Sequence, residues 1–141
     1  MAVEQQPPDV LAMILADAVH RDLATGKNYI QGTFHGVAVA SFPWTLVSMV
    51  VYVVLTEGYG ETPIRVRLVD AEESRPPILE TETRVNFPDP LTVMEVVFPW
   101  FNVVFLEPGE YSVQLFGAGE FLREHRLEVL LSEDFDRPEN A

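Results

Sequence analysis

The chain is predicted to fold as a single all-β domain, an antiparallel β-sandwich of about eight strands. Three observations point there. Apolar and polar residues alternate over short stretches, as in Ile64/Val66/Leu68 against Arg65/Arg67, which is the period of a pleated strand with one buried face. Gly, Pro, Asp and Asn cluster between those stretches, and no amphipathic helical repeat separates them as βαβ units would require. The most apolar run, TLVSMVVYVVLT from Thr45 to Thr56, is rich in β-branched residues, which suit a pleated surface and lose side-chain freedom in a helix.

In chain order, residues 1–9 carry Pro7-Pro8 and are expected to form a flexible N-terminal arm, with the sandwich domain over residues 10–131. VLAMILADAV from Val10 is an apolar strand, and a helix over residues 9–19 is the competing reading. Asp22 to Lys27 is a polar turn with Gly26 where positive φ is wanted. Its Thr-Gly-Lys is not a phosphate loop, since the first Gly of that motif is missing and Asn28 replaces its Ser or Thr. Asn28 to Ala40 is a second strand, bulged or bent at Gly32 and Gly36.

A corner at Phe42-Pro43-Trp44 leads into the central run. From Gly36 to Thr56 there are 21 residues without a formal charge, long enough to span a bilayer as a helix. Pro43 within the stretch, the β-branched composition and Glu57 in place of a basic anchor argue for two strands and no membrane span. The two faces of the second strand are Val47/Met49/Val51/Val53/Leu55 and Leu46/Ser48/Val50/Tyr52/Val54. Both are apolar, whereas a two-layer sandwich buries only one. The outer face therefore needs a cover, supplied by loops of the chain or by another subunit. Leu46, Val50, Tyr52 and Val54 form the expected outer set, extended by Val93 and Val97, as a candidate association face.

After the Glu57–Glu61 loop, Ile64–Leu68 and Leu79–Val85 pair with Arg opposite Glu, joined by Asp70–Pro77. Leu91 to Phe98 is a strand stopped by Pro99. Trp100 to Glu107 is expected to cross between layers, with Phe101, Val104 and Leu106 plugging the sandwich. Pro108-Gly109 turns into the Tyr111–Leu115 strand, Gly117–Glu120 closes a hairpin, and Phe121–Leu131 ends the domain with Leu127, Val129 and Leu131 inward. Residues 132–141 form an acidic tail.

Composition narrows function by exclusion. There is no Cys, so disulfides, thiolate metal sites and Cys nucleophiles are absent, which suits a cytoplasmic location. No secretory signal is visible at the start. With 9 Lys and Arg against 22 Asp and Glu, net −13, the surface repels phosphate backbones, and nucleic acid is not an expected partner. His20, His35 and His125 share no metal-ligand spacing. The Ser residues lack a nucleophile elbow. The acid-rich loops at Asp70/Glu72/Glu73, Glu57/Glu61 and Asp89 match no defined calcium loop, but could gather oxygen ligands if two met at one end. Tyr29, Phe42, Trp44, Tyr59 and Trp100 could line a sugar platform or simply fill the core.

The segments LADAVHRDLATGK, Gly32-Thr33-Phe34, Phe42-Pro43, Arg67-Leu68-Val69-Asp70, and Pro108-Gly109-Glu110-Tyr111 leading into Gln114-Leu115 resemble a family of small bacterial β-sandwich proteins without an established function. The resemblance spans most of Leu11 to Leu131. It implies an immunoglobulin-like or C2-like sandwich, and it supplies no catalytic residue and no cofactor. The functional expectation is thus a non-enzymatic module acting as a homo-oligomer or on a protein partner, with a carbohydrate- or calcium-binding domain using its end loops as the alternative.

Overall fold

The computed structural model describes residues 6–135, with side chains through Glu133; residues 1–5 of the expected arm and 136–141 of the acidic tail lie outside the described residues. Two sheets face each other. The first has the order β2-β1-β4-β7, built from β1 (Asp9–Arg21), β2 (Asn28–Thr33), β4 (Trp44–Thr56) and β7 (Met94–Phe105). The second has the order β3-β9-β8-β5-β6, built from β3 (Gly36–Val39), β5 (Gly60–Asp70), β6 (Leu79–Phe87), β8 (Gly109–Gly117) and β9 (Glu120–Leu131). A single helical turn, α1 (Ser132–Phe135), follows. The fold is the predicted all-β sandwich, with nine strands in place of eight.

The extra strand comes from the 28–40 stretch. It divides at Phe34-His35 into β2, antiparallel to β1, and β3, which runs parallel to β9 in the opposite sheet. The chain changes layers there, with the Phe34 amide donating to the Leu15 carbonyl and the Glu128 amide to the His35 carbonyl. Residues 6–9 of the expected arm pack on the sandwich. Asp9 opens β1, Pro8 is buried, and Gln6 bridges Tyr59.

The central run is the strand β4, flanked by β1 and β7. Met49, Val51, Val53 and Leu55 point into the core with Met13 and Leu15 of β1. Across the gap Ile64, Val66, Leu68, Val113, Leu115, Leu127 and Val129 close on them. Each fully buried side chain of this size contributes roughly 1.5–3 kcal/mol. Among the described residues no helix is long and apolar enough to cross a membrane, because the uncharged run is pleated.

Two expectations for residues 91–107 are corrected. Pro99 does not stop the strand: β7 runs unbroken from Met94 to Phe105. Among the described residues its partner is β4 alone, so a residue with no amide hydrogen is tolerated on this sheet edge. Nor do residues 100–107 cross between layers. Phe101, Val104 and Leu106, assigned to the interior, are exposed, while Phe98, Trp100, Val103 and Phe105 are the buried ones.

The change of parity between Trp100 and Val103 has a backbone cause. Asn102 is left-handed, φ 55°, and falls opposite Val47, between the pairs Leu46↔Val103 and Ser48↔Phe101. Both strands spend one extra residue there, so register is kept while the inward face switches. On β4 the same step turns Trp44 and Leu46 inward with Met49. Leu46 therefore packs on the core and does not belong to the outer set predicted for it.

Candidate functional site

The outer face of the first sheet already has a cover. Val50 and Tyr52 are each only 7% exposed, although they point away from the core. Asn28, at the far end of the β1–β2 hairpin, donates a hydrogen bond to Glu95 of β7, and both side chains reach the Tyr52 hydroxyl. In a flat sheet this contact is impossible. Asn28 pairs with Arg21, while Glu95 pairs with Val54 at the level of Ala12. Nine residues of strand, roughly 30 Å, separate those levels.

The hairpin beyond Ala16 must fold back across the sheet. It bends where Gly32 stands opposite Asp17, with φ 70° and so close that a Cβ on Gly32 would lie 2.3 Å from the Asp17 carboxylate. Only glycine meets both demands. Val19 and Ile30 are paired and half-buried on the hairpin. Of the six residues predicted to form an association face, Leu46 is thus interior, Val50 and Tyr52 are buried under the hairpin, Val54 is half-buried, and Val93 and Val97 are exposed.

The exposed apolar surface lies one strand further over, along β7 and the turn after it. Phe101 is 66% and Leu106 65% exposed, joined by Val97, Val104 and, across from Asn102, Val47. From Val96 to Leu106 the chain has no charged residue. The second half of this run borders a cavity of about 490 Å³. It opens at the side of the sandwich where edge strands β7 and β6 stack, stitched by the Trp100 indole donating to the Thr81 hydroxyl at 2.9 Å.

Phe101, Val103, Val104 and Leu106 form one wall, Pro76, Ile78 and Leu79 the other, and Tyr111 the floor. Phe105 holds that floor in place, edge-on to Tyr111 at 4.9 Å and stacked with Trp44 at 5.7 Å. The Tyr111 hydroxyl donates to the Glu107 carbonyl at 2.6 Å, tying the 106–110 turn to the start of β8. Burial, and then the Glu107 carboxylate, raise the Tyr111 pKa, so the phenol stays protonated and keeps this bond.

The rim is polar and mostly acidic. Arg75 pairs with Glu107 at 2.6 Å across the mouth. Asp70 is held by the Ser74 hydroxyl and by the amides of Ser74 and Arg75; the Ser74 hydroxyl does most to lower its pKa. A shallower depression of about 380 Å³ continues from the cavity, sharing Asp70, Glu107 and Tyr111 and adding Glu72 and Glu110.

The other predicted clusters do not assemble. Among the described residues no three His, Asp or Glu side chains converge as metal ligands. His20 contacts Gln31, and His125 contacts the Arg126 carbonyl. Of the five aromatic residues considered as a sugar platform, Trp100 is core, Phe42 and Trp44 pack against it, and only Tyr29 and Tyr59 are exposed, on separate elements. The cavity itself escaped the sequence reading. The signal that could have found it is the uncharged run from Val96 to Leu106, which is longer than one buried strand face needs.

No characterised protein matches the chain in a search of curated sequences. A family model does match, over residues 11–130, which is nearly the whole sandwich. On that match the chain belongs to a family of unknown function, DUF6941.

Proposed function

We propose that this protein is a non-enzymatic module of the cytoplasm that works by docking another polypeptide on the outer side of β7 and the cavity beside it. The observation that supports this is the concentration of exposed large apolar side chains, Val97, Phe101, Val104 and Leu106, along an edge strand and the turn after it, in a run from Val96 to Leu106 that has no charged residue in a chain of net charge −13. Apolar surface gathered in one place, next to a preformed concavity, is the usual mark of a docking site. The cavity is lined mainly by aliphatic and aromatic carbon. Its ionisable groups are held by Ser74, by main-chain atoms or by each other, which suits recognition better than proton transfer. We also read the sandwich as immunoglobulin-like, a reading supported by Tyr111, whose hydroxyl returns to the main chain four residues upstream as in the tyrosine corner of such folds.

Panning a random peptide library against the wild-type chain and against Phe101→Glu/Leu106→Asp tests the proposal. The wild type should enrich a consensus with large apolar residues, and the variant should lose it while keeping its circular dichroism spectrum and melting temperature. Light scattering on the same two proteins shows whether a second copy occupies the site. A monomeric wild type that enriches no consensus would remove the proposal.

A further inference from the structure

The acidic border of the cavity carries the reading one step further. We propose that its occupant is a segment with one or two large apolar side chains flanked by Lys or Arg, and not a second copy of this chain. The inference rests on the docking function proposed above and specifies the partner.

The wall residues Phe101, Val104, Leu106, Ile78 and Leu79 ask for an apolar anchor. The ground around them asks for positive charge. Asp70, Glu72, Glu107 and Glu110 line the cavity and the depression that continues it, and Arg75, the cation among the lining residues, is already paired with Glu107. Glu73, beside them, is engaged by Arg67 at 2.9 Å; with Glu107 offset by Arg75, the rim carboxylates outside any ion pair are Asp70, Glu72 and Glu110. A segment bearing Lys or Arg would enter along a favourable field and meet carboxylates after its anchor is seated.

The alternatives fit less well. A second copy would bring the same carboxylates face to face on top of a net charge of −13, and like charges at an interface select against that partner. Addition of a strand to the free edge of β7 is obstructed twice, by Pro99, which offers no amide hydrogen, and by Asn102, whose left-handed backbone breaks the extended run. A small polar ligand would need donors or acceptors waiting for it. Among the described residues no buried side-chain polar atom lacks a partner.

Three labelled peptides on a Gly-Ser background separate these readings by fluorescence anisotropy. One has a central Leu-Phe flanked by Lys on both sides, the second has Glu in place of Lys, and the third keeps Lys but replaces Leu-Phe with Ser-Ser. The first should bind at least about tenfold more tightly than either control and weaken about tenfold when salt is raised from low to several tenths molar. Phe101→Ser/Leu106→Ser should abolish binding. Glu72→Gln/Glu110→Gln should erase most of the Lys-over-Glu preference while leaving the need for Leu-Phe.

Equal binding of the Lys and Glu peptides would overturn the charge selection and leave the docking function standing. Equal binding with and without Leu-Phe would reduce the effect to bulk electrostatics and overturn the proposal. If no peptide binds but light scattering finds an oligomer that Phe101→Glu dissolves, the partner is a second copy, and this inference fails while the docking function survives. If neither appears, both fail.

Discussion

Two stretches of the same sheet share one composition and meet different fates. Around Val50 and Tyr52 the outer face is apolar and closed, because the β1–β2 hairpin folds back over it and clips to Glu95 through Asn28. Around Phe101 and Leu106 it is equally apolar and open. The difference lies in the connection, not in the side chains. A strand with two apolar faces gains a second layer from its own chain only where that chain can reach, and the hairpin, bent at Gly32, reaches β7 near Glu95 at the other end from Phe101. What stays uncovered after the chain has used its own means is the stronger candidate for contact with something else.

The sharpest test of this contrast puts a charge on each side. Val50→Asp places a carboxylate under the hairpin and should cost about 3 kcal/mol or more. Phe101→Glu puts its charge in water, and its unfolding free energy from chemical denaturation should stay within about 0.5 kcal/mol of wild type. Similar losses at both sites would mean that Phe101 is packed in solution, and the distinction between the closed and open stretches would fall.

The bend should respond next. Gly32→Ala forces a Cβ into the left-handed region and against Asp17, and about 1–2 kcal/mol of destabilisation is expected. Gly60, with φ 79° and open space where a Cβ would sit, is the matched control and should lose less. The clip itself is smaller. Asn28→Ala should cost about 1 kcal/mol, and hydrogen exchange should quicken in β2 and at the outer positions of β4 but not in β8. Uniform quickening would show that the hairpin does not open separately from the sandwich.

Much of the architecture was legible in the sequence, because alternation along Ile64–Leu68 and Tyr111–Leu115 reports a buried face directly, and Gly-Pro turns bound the strands. What was illegible depended on partners distant in sequence. The even-numbered face of β4 reads as an outer surface with equal force whether or not a hairpin covers it, and nothing local in LADAVHRDLATGK says that it will fold back. The inward turn of Leu46 and the outward turn of Val104 are both consequences of the step at Asn102, a single residue whose left-handed backbone cannot be read from its neighbours. Pro99 looked like a stop because the sequence does not say which strand is at an edge. The candidate site inherits all three uncertainties, which is why only Val93 and Val97 of the predicted face remain on open surface.

The smallest expected effect comes from two tyrosines, one in each region. Burial, and then the Glu95 carboxylate, raise the Tyr52 pKa, while burial and Glu107 do the same for Tyr111. A group with a raised folded-state pKa contributes stability that is complete below its unfolded value, about 10 for Tyr, and is lost as pH rises through the folded value. The melting temperature should therefore decline above pH of about 10 more steeply than carboxylates alone allow, and Tyr52→Phe and Tyr111→Phe should each remove part of that decline. Asp70 has the opposite sign: its lowered pKa gives stability above its ordinary carboxylate range that disappears on acidification. A peptide seated in the cavity lies over Tyr111 and far from Tyr52, so it should delay the alkaline loss in Tyr52→Phe, where Tyr111 remains, and leave it unchanged in Tyr111→Phe. The reverse pattern would put the peptide on the hairpin side of the sheet and exchange the roles assigned to the two regions.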